Sequence, residues 1–286
     1  MAATILDGRA LAETRRAALA ERVAAFTARH RVAPCLAAVL VGADPASRMY
    51  VESKARAAGR VGIRSETFHL PGAASPEEYL SLIDELNRRG DVHGILPQLP
   101  LPPQIDPHAV FERIHPDKDV DGLTPANAGR LVLGHPRLAP CTPLGILALI
   151  DHAGARLAGA ECVIVGRSNI VGKPTALLIL ARHATVTICH SKTPDLGAHT
   201  RRAEVLVSAV GHPRLIGKEL VRPGAIVIDV GNGHIDGKLV GDVDFESVRL
   251  VAGAITPVPG GVGPMTIAML LENTLTAARM QLEGPP

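Results

Sequence analysis

Residues 161–174 read ECVIVGRSNIVGKP. An apolar run ends in Gly166, and a helix is expected to open between Ile170 and Pro174. A strand, a glycine-bearing turn and a helix start together aim backbone N–H groups and the helix dipole at a phosphate. The glycines stand at Gly166 and Gly172, not in the GxGxxG spacing. A phosphate loop and a tight strand–helix turn without a ligand both fit that pattern. The next strand ends in CHSKT (189–193), with no carboxylate where an NAD site places one on the ribose. Arg167 and Ser191, with Lys192 nearby, suit a 2′-phosphate instead. The expected cofactor is NADP rather than NAD.

Outward from this stretch, strand and helix patterns alternate. Strands are expected at 34–41, 65–70, 94–96, 161–166, 185–189, 205–209 and 225–230. Helices are expected over 10–30, from Asp44 with Ser47 as the cap, from Ser75, and over 144–153, 174–182 and 266–282. Repeated βα units imply mostly parallel sheets covered by helices, and a Pro-rich break at 97–103 favours two open sheets over one barrel. The fold class is α/β with two domains. Residues 1–139, with the closing helix 266–286, form a substrate-binding catalytic domain. Residues 140–265 form the dinucleotide-binding domain.

Composition removes several function classes. The 286 residues are 47% apolar, mean hydropathy is slightly positive, and 30 basic against 28 acidic residues leave +2. Global disorder is excluded, and no basic field is available for nucleic acid or an anionic membrane. With no Trp, two Tyr and four Phe, base-stacking platforms are not expected. Cys35, Cys141, Cys162 and Cys189 form no CxxC pair, which fits a reducing cytoplasm and no metal site. No apolar run reaches bilayer length, and Asp7, Arg9 and Glu13 break any signal-peptide core.

Three segments of the first domain carry candidate chemistry. Tyr50 and Lys54 lie four residues apart and share a helix face. Gln98 follows a strand, where parallel sheets place ligands. KDVDG (118–122) offers two acids before a glycine. A Lys near Gln and Asp becomes a general base if burial or a neighbouring cation lowers its ordinary pKa of about 10.4. Surface decoration and a plain Asp-Gly turn are the blander readings. Late in the chain, PVPGGVGPMT (257–266) is too apolar and rigid for a linker. It suits a backbone passing close to a ligand, a domain-crossing hinge, or both.

These blocks together resemble the bifunctional methylenetetrahydrofolate dehydrogenase/methenyltetrahydrofolate cyclohydrolase family, the FolD type. The resemblance rests on DPASRMYVESK (44–54), GILPQLPLP (94–102), PDKDVDG (116–122), PCTPLGI (140–146), GRSNIVGKP (166–174), TVTICHSKT (185–193), GDVDF (241–245) and PVPGGVGPMT (257–266), and covers nearly the whole length. It implies a Rossmann-like second domain. It also implies oxidation of 5,10-methylenetetrahydrofolate with NADP, then hydrolysis of the methenyl product to 10-formyltetrahydrofolate. By that resemblance Lys54 is the key hydrolytic residue, Gln98 tunes it, Asp121 bonds the pterin and Tyr50 stacks on the folate. Pro259, Gly260, Gly261, Val262 and Gly263 lie against the substrate, and Gly166, Arg167, Ser168, Ser191 and Asn232 bind the cofactor. It further implies a cytoplasmic homodimer in one-carbon metabolism, feeding purine biosynthesis. The chain departs from the family at Pro97 for Val, Arg56 for Lys, and VGNG (230–233) for Val-Gly-Ile-Asn. A relative with dehydrogenase activity alone is the alternative.

Overall fold

The computed structural model describes residues 2–284. Its strands are β1 (Thr4–Ile5), β2 (Cys35–Val41), β3 (Arg64–Leu70), β4 (Gly94–Pro97), β5 (Glu161–Val165), β6 (Thr185–Cys189), β7 (Val205–Ser208), β8 (Ile226–Asp229), β9 (Gly233–Ile235), β10 (Lys238–Val240) and β11 (Ala254–Ile255). Its main helices are α1 (Gly8–His30), α2 (Pro45–Arg60), α3 (Pro76–Arg88), α4 (Pro107–Arg113), α5 (Pro125–Val132), α6 (Cys141–His152), α7 (Gly172–Leu180), α8 (Leu196–Thr200), α9 (Phe245–Val248) and α10 (Val262–Glu283). Two compact units result: Thr14–Cys141 with residues 270–284, and residues 2–13 with Thr142–Met269.

The first unit is built on a three-stranded parallel sheet ordered β3-β2-β4. The central strand β2 is buried along its whole length, as its unbroken apolar run requires. Proline at the first helical position and an acceptor before it start α2, α3, α4 and α5. Asp44 caps α2, accepting from Ser47 N at 2.8 Å, so the cap is Asp44 and not the expected Ser47. The carboxylate reaches the third amide of the turn, and Pro45 needs no partner for its nitrogen. Ser75 and Glu78 form a reciprocal capping box on α3. The end of α10 belongs to this unit, where Glu272 pairs with Arg15 and Glu283 with His30.

The second unit holds a six-stranded parallel sheet ordered β1-β11-β8-β7-β5-β6, and a small antiparallel β9–β10 ribbon. Residues 2–13 were expected in the first domain. They fold here instead, because β1 pairs in register with β11, Thr4 beside Ala254. A two-residue strand gives no periodicity by which to read it. Similarly, the first residues of α10 stay with this unit.

Candidate active site

In the first unit the carboxyl ends of β2 and β4 and the start of α6 bring the chemistry-bearing residues together. Lys54 on α2 donates from Nζ to Gln98 Oε1 at 3.0 Å. Gln98 Nε2 donates to the Leu99 carbonyl at 2.6 Å, which fixes the amide with its oxygen toward the lysine. Gln98 is buried and Lys54 half-buried. Burial lowers the Lys54 pKa from the usual lysine range, partly offset by the Asp121 carboxylate beside it and by Cys141. Asp121 shifts the other way. Desolvation raises its pKa, opposed by Lys54 and by hydrogen bonding from Cys141. Burial thus works against the charge on both members of this pair, while each one's opposite charge works for it. Tyr50, one turn before Lys54 on α2, is 56% exposed and offers a free aromatic face.

The two acids of KDVDG take different parts. Asp119 accepts from Leu123 N, Thr124 N and Asn127 Nδ2 at 3.1, 2.8 and 2.9 Å, and so holds the turn into α5. Asp121 faces Lys54. Lys118 is spent on the Leu86 and Arg89 carbonyls.

Pro97 leaves the β4 ladder intact. Gln98 N donates to Val39 O at 2.9 Å, so the alternate residue, Pro97, turns its nitrogen away from β2 on this edge strand. A proline is accommodated there without losing a sheet bond.

Two members of this site were missed from the sequence. Cys141 is fully buried beside Asp121 and Lys54, and burial pushes its thiol far up. Asn273 on α10 donates to Val120 O at 2.8 Å and Ala139 O at 2.9 Å, clamping the segments that carry Asp121 and Cys141. PCTPLGI signalled Cys141. Asn273, one amide in an apolar helix, gave no signal beyond its polarity.

In the second unit the remaining candidates gather at the carboxyl ends of the parallel strands. Gly166 follows β5 with φ +127°, and a Cβ there would collide with the Ala209 carbonyl. Ser168 Oγ accepts from Val171 N and Gly172 N at 3.1 and 3.3 Å, setting the turn into α7. Arg167, Ser168, Ser191 and Asn232 are all exposed beyond β5, β6 and β8, with Lys192 next to Ser191. This is where open α/β sheets bind ligands. Exposed cationic and hydroxyl groups, with no carboxylate ending β6, fit a phosphorylated ribose. Residues 257–263 extend beyond β11, with Gly261 N donating to Pro257 O at 2.9 Å and Arg9 N to Gly260 O at 3.1 Å. No helix among the described residues is long and apolar enough to cross a membrane.

Comparison with known proteins accords with this geometry. A family model described as tetrahydrofolate dehydrogenase/cyclohydrolase, catalytic domain, matches residues 6–121. The NAD(P)-binding domain of the same family matches residues 140–282. The chain is 56% identical over 283 residues to the bifunctional protein FolD of Bordetella avium, covering 99% of each. The crystal structure of the bifunctional FolD enzyme, methylenetetrahydrofolate dehydrogenase/cyclohydrolase, from Campylobacter jejuni superposes with a TM-score of 0.95. It is 48% identical, over 97% of this chain and 99% of that one. The methylenetetrahydrofolate dehydrogenase-cyclohydrolase of Trypanosoma brucei, solved with NADP cofactor and an inhibitor, also gives 0.95, at 39% identity over 99% of each chain.

Proposed function

The chain belongs to the tetrahydrofolate dehydrogenase/cyclohydrolase family, and from that premise we propose how its residues divide the work. The enzyme is bifunctional. It oxidises 5,10-methylenetetrahydrofolate to 5,10-methenyltetrahydrofolate with NADP and hydrolyses that product to 10-formyltetrahydrofolate. NADP, when bound, supplies the acceptor for the hydride that leaves the methylene carbon. Gly166, Arg167, Ser168, Ser191 and Asn232 would hold it, the Arg167 guanidinium and Ser191 hydroxyl being the groups suited to its 2′-phosphate.

Loss of the hydride leaves a cationic methenyl group. Water adds to its carbon while the neutral Lys54 amine accepts the water's proton. The added hydroxyl then gives up its proton and becomes the formyl carbonyl as the carbon–N5 bond breaks, N5 takes a proton, and one proton is released overall. Substrate cation and burial both disfavour a charged Lys54, which keeps the base available. Gln98 orients the amine. Asp121 accepts hydrogen bonds from the pterin, Tyr50 stacks on the folate, and Pro259, Gly260, Gly261, Val262 and Gly263 bear on the substrate. The observation that carries this reading is the Lys54–Gln98 hydrogen bond with Asp121 beside it.

The direct experiment mixes purified protein with methylenetetrahydrofolate and NADP and follows reduced cofactor and methenyl compound separately. Methenyl compound passing to 10-formyl product faster than without enzyme is expected. Its accumulation with only background decay would instead indicate a dehydrogenase without hydrolase activity.

The protein is further proposed to work as a cytoplasmic homodimer supplying one-carbon units for purine biosynthesis, without contact to nucleic acid. Four free, buried cysteines suit a reducing compartment. The edge strand β6, with Ile188 exposed, offers unpaired backbone groups to a second copy. Sedimentation of the purified protein tests the dimer.

A further inference from the structure

The segment GDVDF (241–245) has no part in the mechanism above, yet it contains a fully buried acid. Asp242 is 0% exposed, and Asp229, at the end of β8, is 3% exposed. The two carboxylates stand together, and the donors they accept from are backbone amides and one hydroxyl rather than cations. Asp242 Oδ2 accepts from Ser208 Oγ at 3.1 Å and from Val210 N at 2.7 Å. Asp229 Oδ1 accepts from Gly231 N at 2.8 Å and Asp242 N at 2.9 Å, and its Oδ2 from Val243 N at 2.9 Å. Asp242 Oδ1 is buried and has no hydrogen-bond partner among the described residues. Burial, with Asp242 adding to it, pushes the Asp229 carboxyl up to about 6.

Burying two acids this way costs free energy. The backbone is shaped around them. A Cβ at Gly231 would strike the Asp242 amide, and one at Gly241 the Asp229 carboxylate. Two of the amides they bind belong to Val210 and Gly231, just beyond β7 and β8. Ala209, between Ser208 and Val210, is the residue whose carbonyl Gly166 packs against. The pair thus braces the same carboxyl-end face that carries Arg167, Ser191 and Asn232.

We infer that Asp229 and Asp242 are positioning residues for NADP. They hold residues 208–211 and 229–232 as a rigid wall of the cofactor site, and so govern the dehydrogenase step without entering the hydrolysis. The inference rests on the placement of NADP at these strand ends.

Asp242 is the residue to test, because the amide of Asp229 also bonds Thr256 (2.8 Å), next to the loop assigned to the substrate. Asp242→Ala, Asp242→Asn, Ser208→Ala and Arg167→Ala are compared by calorimetric NADP affinity, by KM and kcat of the dehydrogenase, and by methenyl hydrolysis without cofactor. Asp242→Ala is expected to weaken NADP binding about tenfold or more, since small displacements at a binding wall are costly. Methenyl hydrolysis stays within about twofold. Asp242→Asn restores most of the affinity, because its amide oxygen still accepts from Val210. Should Asp242→Ala fail to fold, Ser208→Ala, which removes one hydrogen bond, is expected to weaken NADP by about threefold. Wild-type affinity in the foldable variants, or parallel loss of NADP binding and hydrolysis, overturns the inference. If Arg167→Ala leaves NADP affinity unchanged, the placement of the cofactor itself fails. If Arg167→Ala weakens binding and the Asp242 and Ser208 variants do not, only the positioning role fails.

Discussion

Lys54 Nζ donates to Gln98 Oε1 across 3.0 Å, and Gln98 is kept from turning away because its own N–H is held by the Leu99 carbonyl. A neutral acceptor orients the amine without adding charge that would hold its proton. Lys54→Met keeps the aliphatic stem and removes the base. Methenyl hydrolysis is expected to fall about 10²- to 10⁴-fold, the usual worth of a positioned acid–base group. The melting temperature stays close to that of the parent. Unchanged hydrolysis in the folded variant would remove Lys54 from the mechanism.

The same pair sets a pH dependence. Only the neutral amine accepts a proton from water, so hydrolysis rises with pH and levels off above the Lys54 pKa. Burial lowers that pKa, placing the limb below the ordinary lysine value. Gln98→Glu puts a carboxylate against Nζ and favours the charged form. The limb then moves to higher pH, and each unit of movement costs about tenfold in neutral-pH hydrolysis. The kcat–pH profile of the two proteins is the check, and coincident profiles would detach the limb from Lys54.

Arg167 tests cofactor choice. It is exposed just beyond Gly166, and no acid ends β6 to bind an unphosphorylated ribose. Arg167→Ala is expected to raise KM for NADP about tenfold or more, the worth of a charge-assisted hydrogen bond, while the NAD reaction changes little. Steady-state kinetics with both cofactors decide it; an equal effect on both would move the 2′-phosphate elsewhere.

Why some of this was legible in the sequence and some not follows from the distance over which each pattern acts. The strands β2 and β4 and residues 162–165 of β5 are apolar runs beside turn residues, and Ser75-Pro76 spells a helix start in adjacent positions. Lys54, Gln98 and Asp121 came from short motifs, but their meeting is a matter of topology: β2 brings α2 and β4 side by side. What escaped has partners far along the chain. Two-residue β1 has meaning only beside β11, about 250 residues on. Asn273 acts on Val120 and Ala139, more than a hundred positions earlier. Asp119 and Asp121 are equivalent in a one-dimensional reading. The turn, by pointing one at its own amides, separates them.

That separation is itself measurable. Asp119 receives three N–H donors from the α5 turn, so Asp119→Ala leaves them unpaired in a buried place. It is expected to cost about 2–4 kcal/mol of stability. Asp121→Asn, close in shape, is expected to lower folate turnover in both reactions with little loss of stability. Urea unfolding beside kinetics for the two variants gives the answer. A reversed pattern would exchange their roles.

His93 governs the acid side of stability. It is wholly buried, its Nδ1 accepts from Cys35 N at 3.1 Å, and its Nε2 has no partner among the described residues. Burial first, then the nearby Lys118 and Arg64 charges, lower its pKa to about 4. The unfolded chain takes up the proton near pH 6.5, and the folded protein only near 4. Stability is therefore whole above 6.5 and drains as pH falls toward 4, by about 2 kcal/mol between pH 7 and 5 from this group alone. His93→Asn places an oxygen near the Nδ1 position to keep the Cys35 bond and cannot titrate. The variant starts less stable, because the shorter side chain leaves a cavity, but its unfolding free energy is expected to decline less between pH 7 and 5. Urea titrations of both proteins at the two pH values measure this, and equal declines would assign the acid sensitivity to other groups.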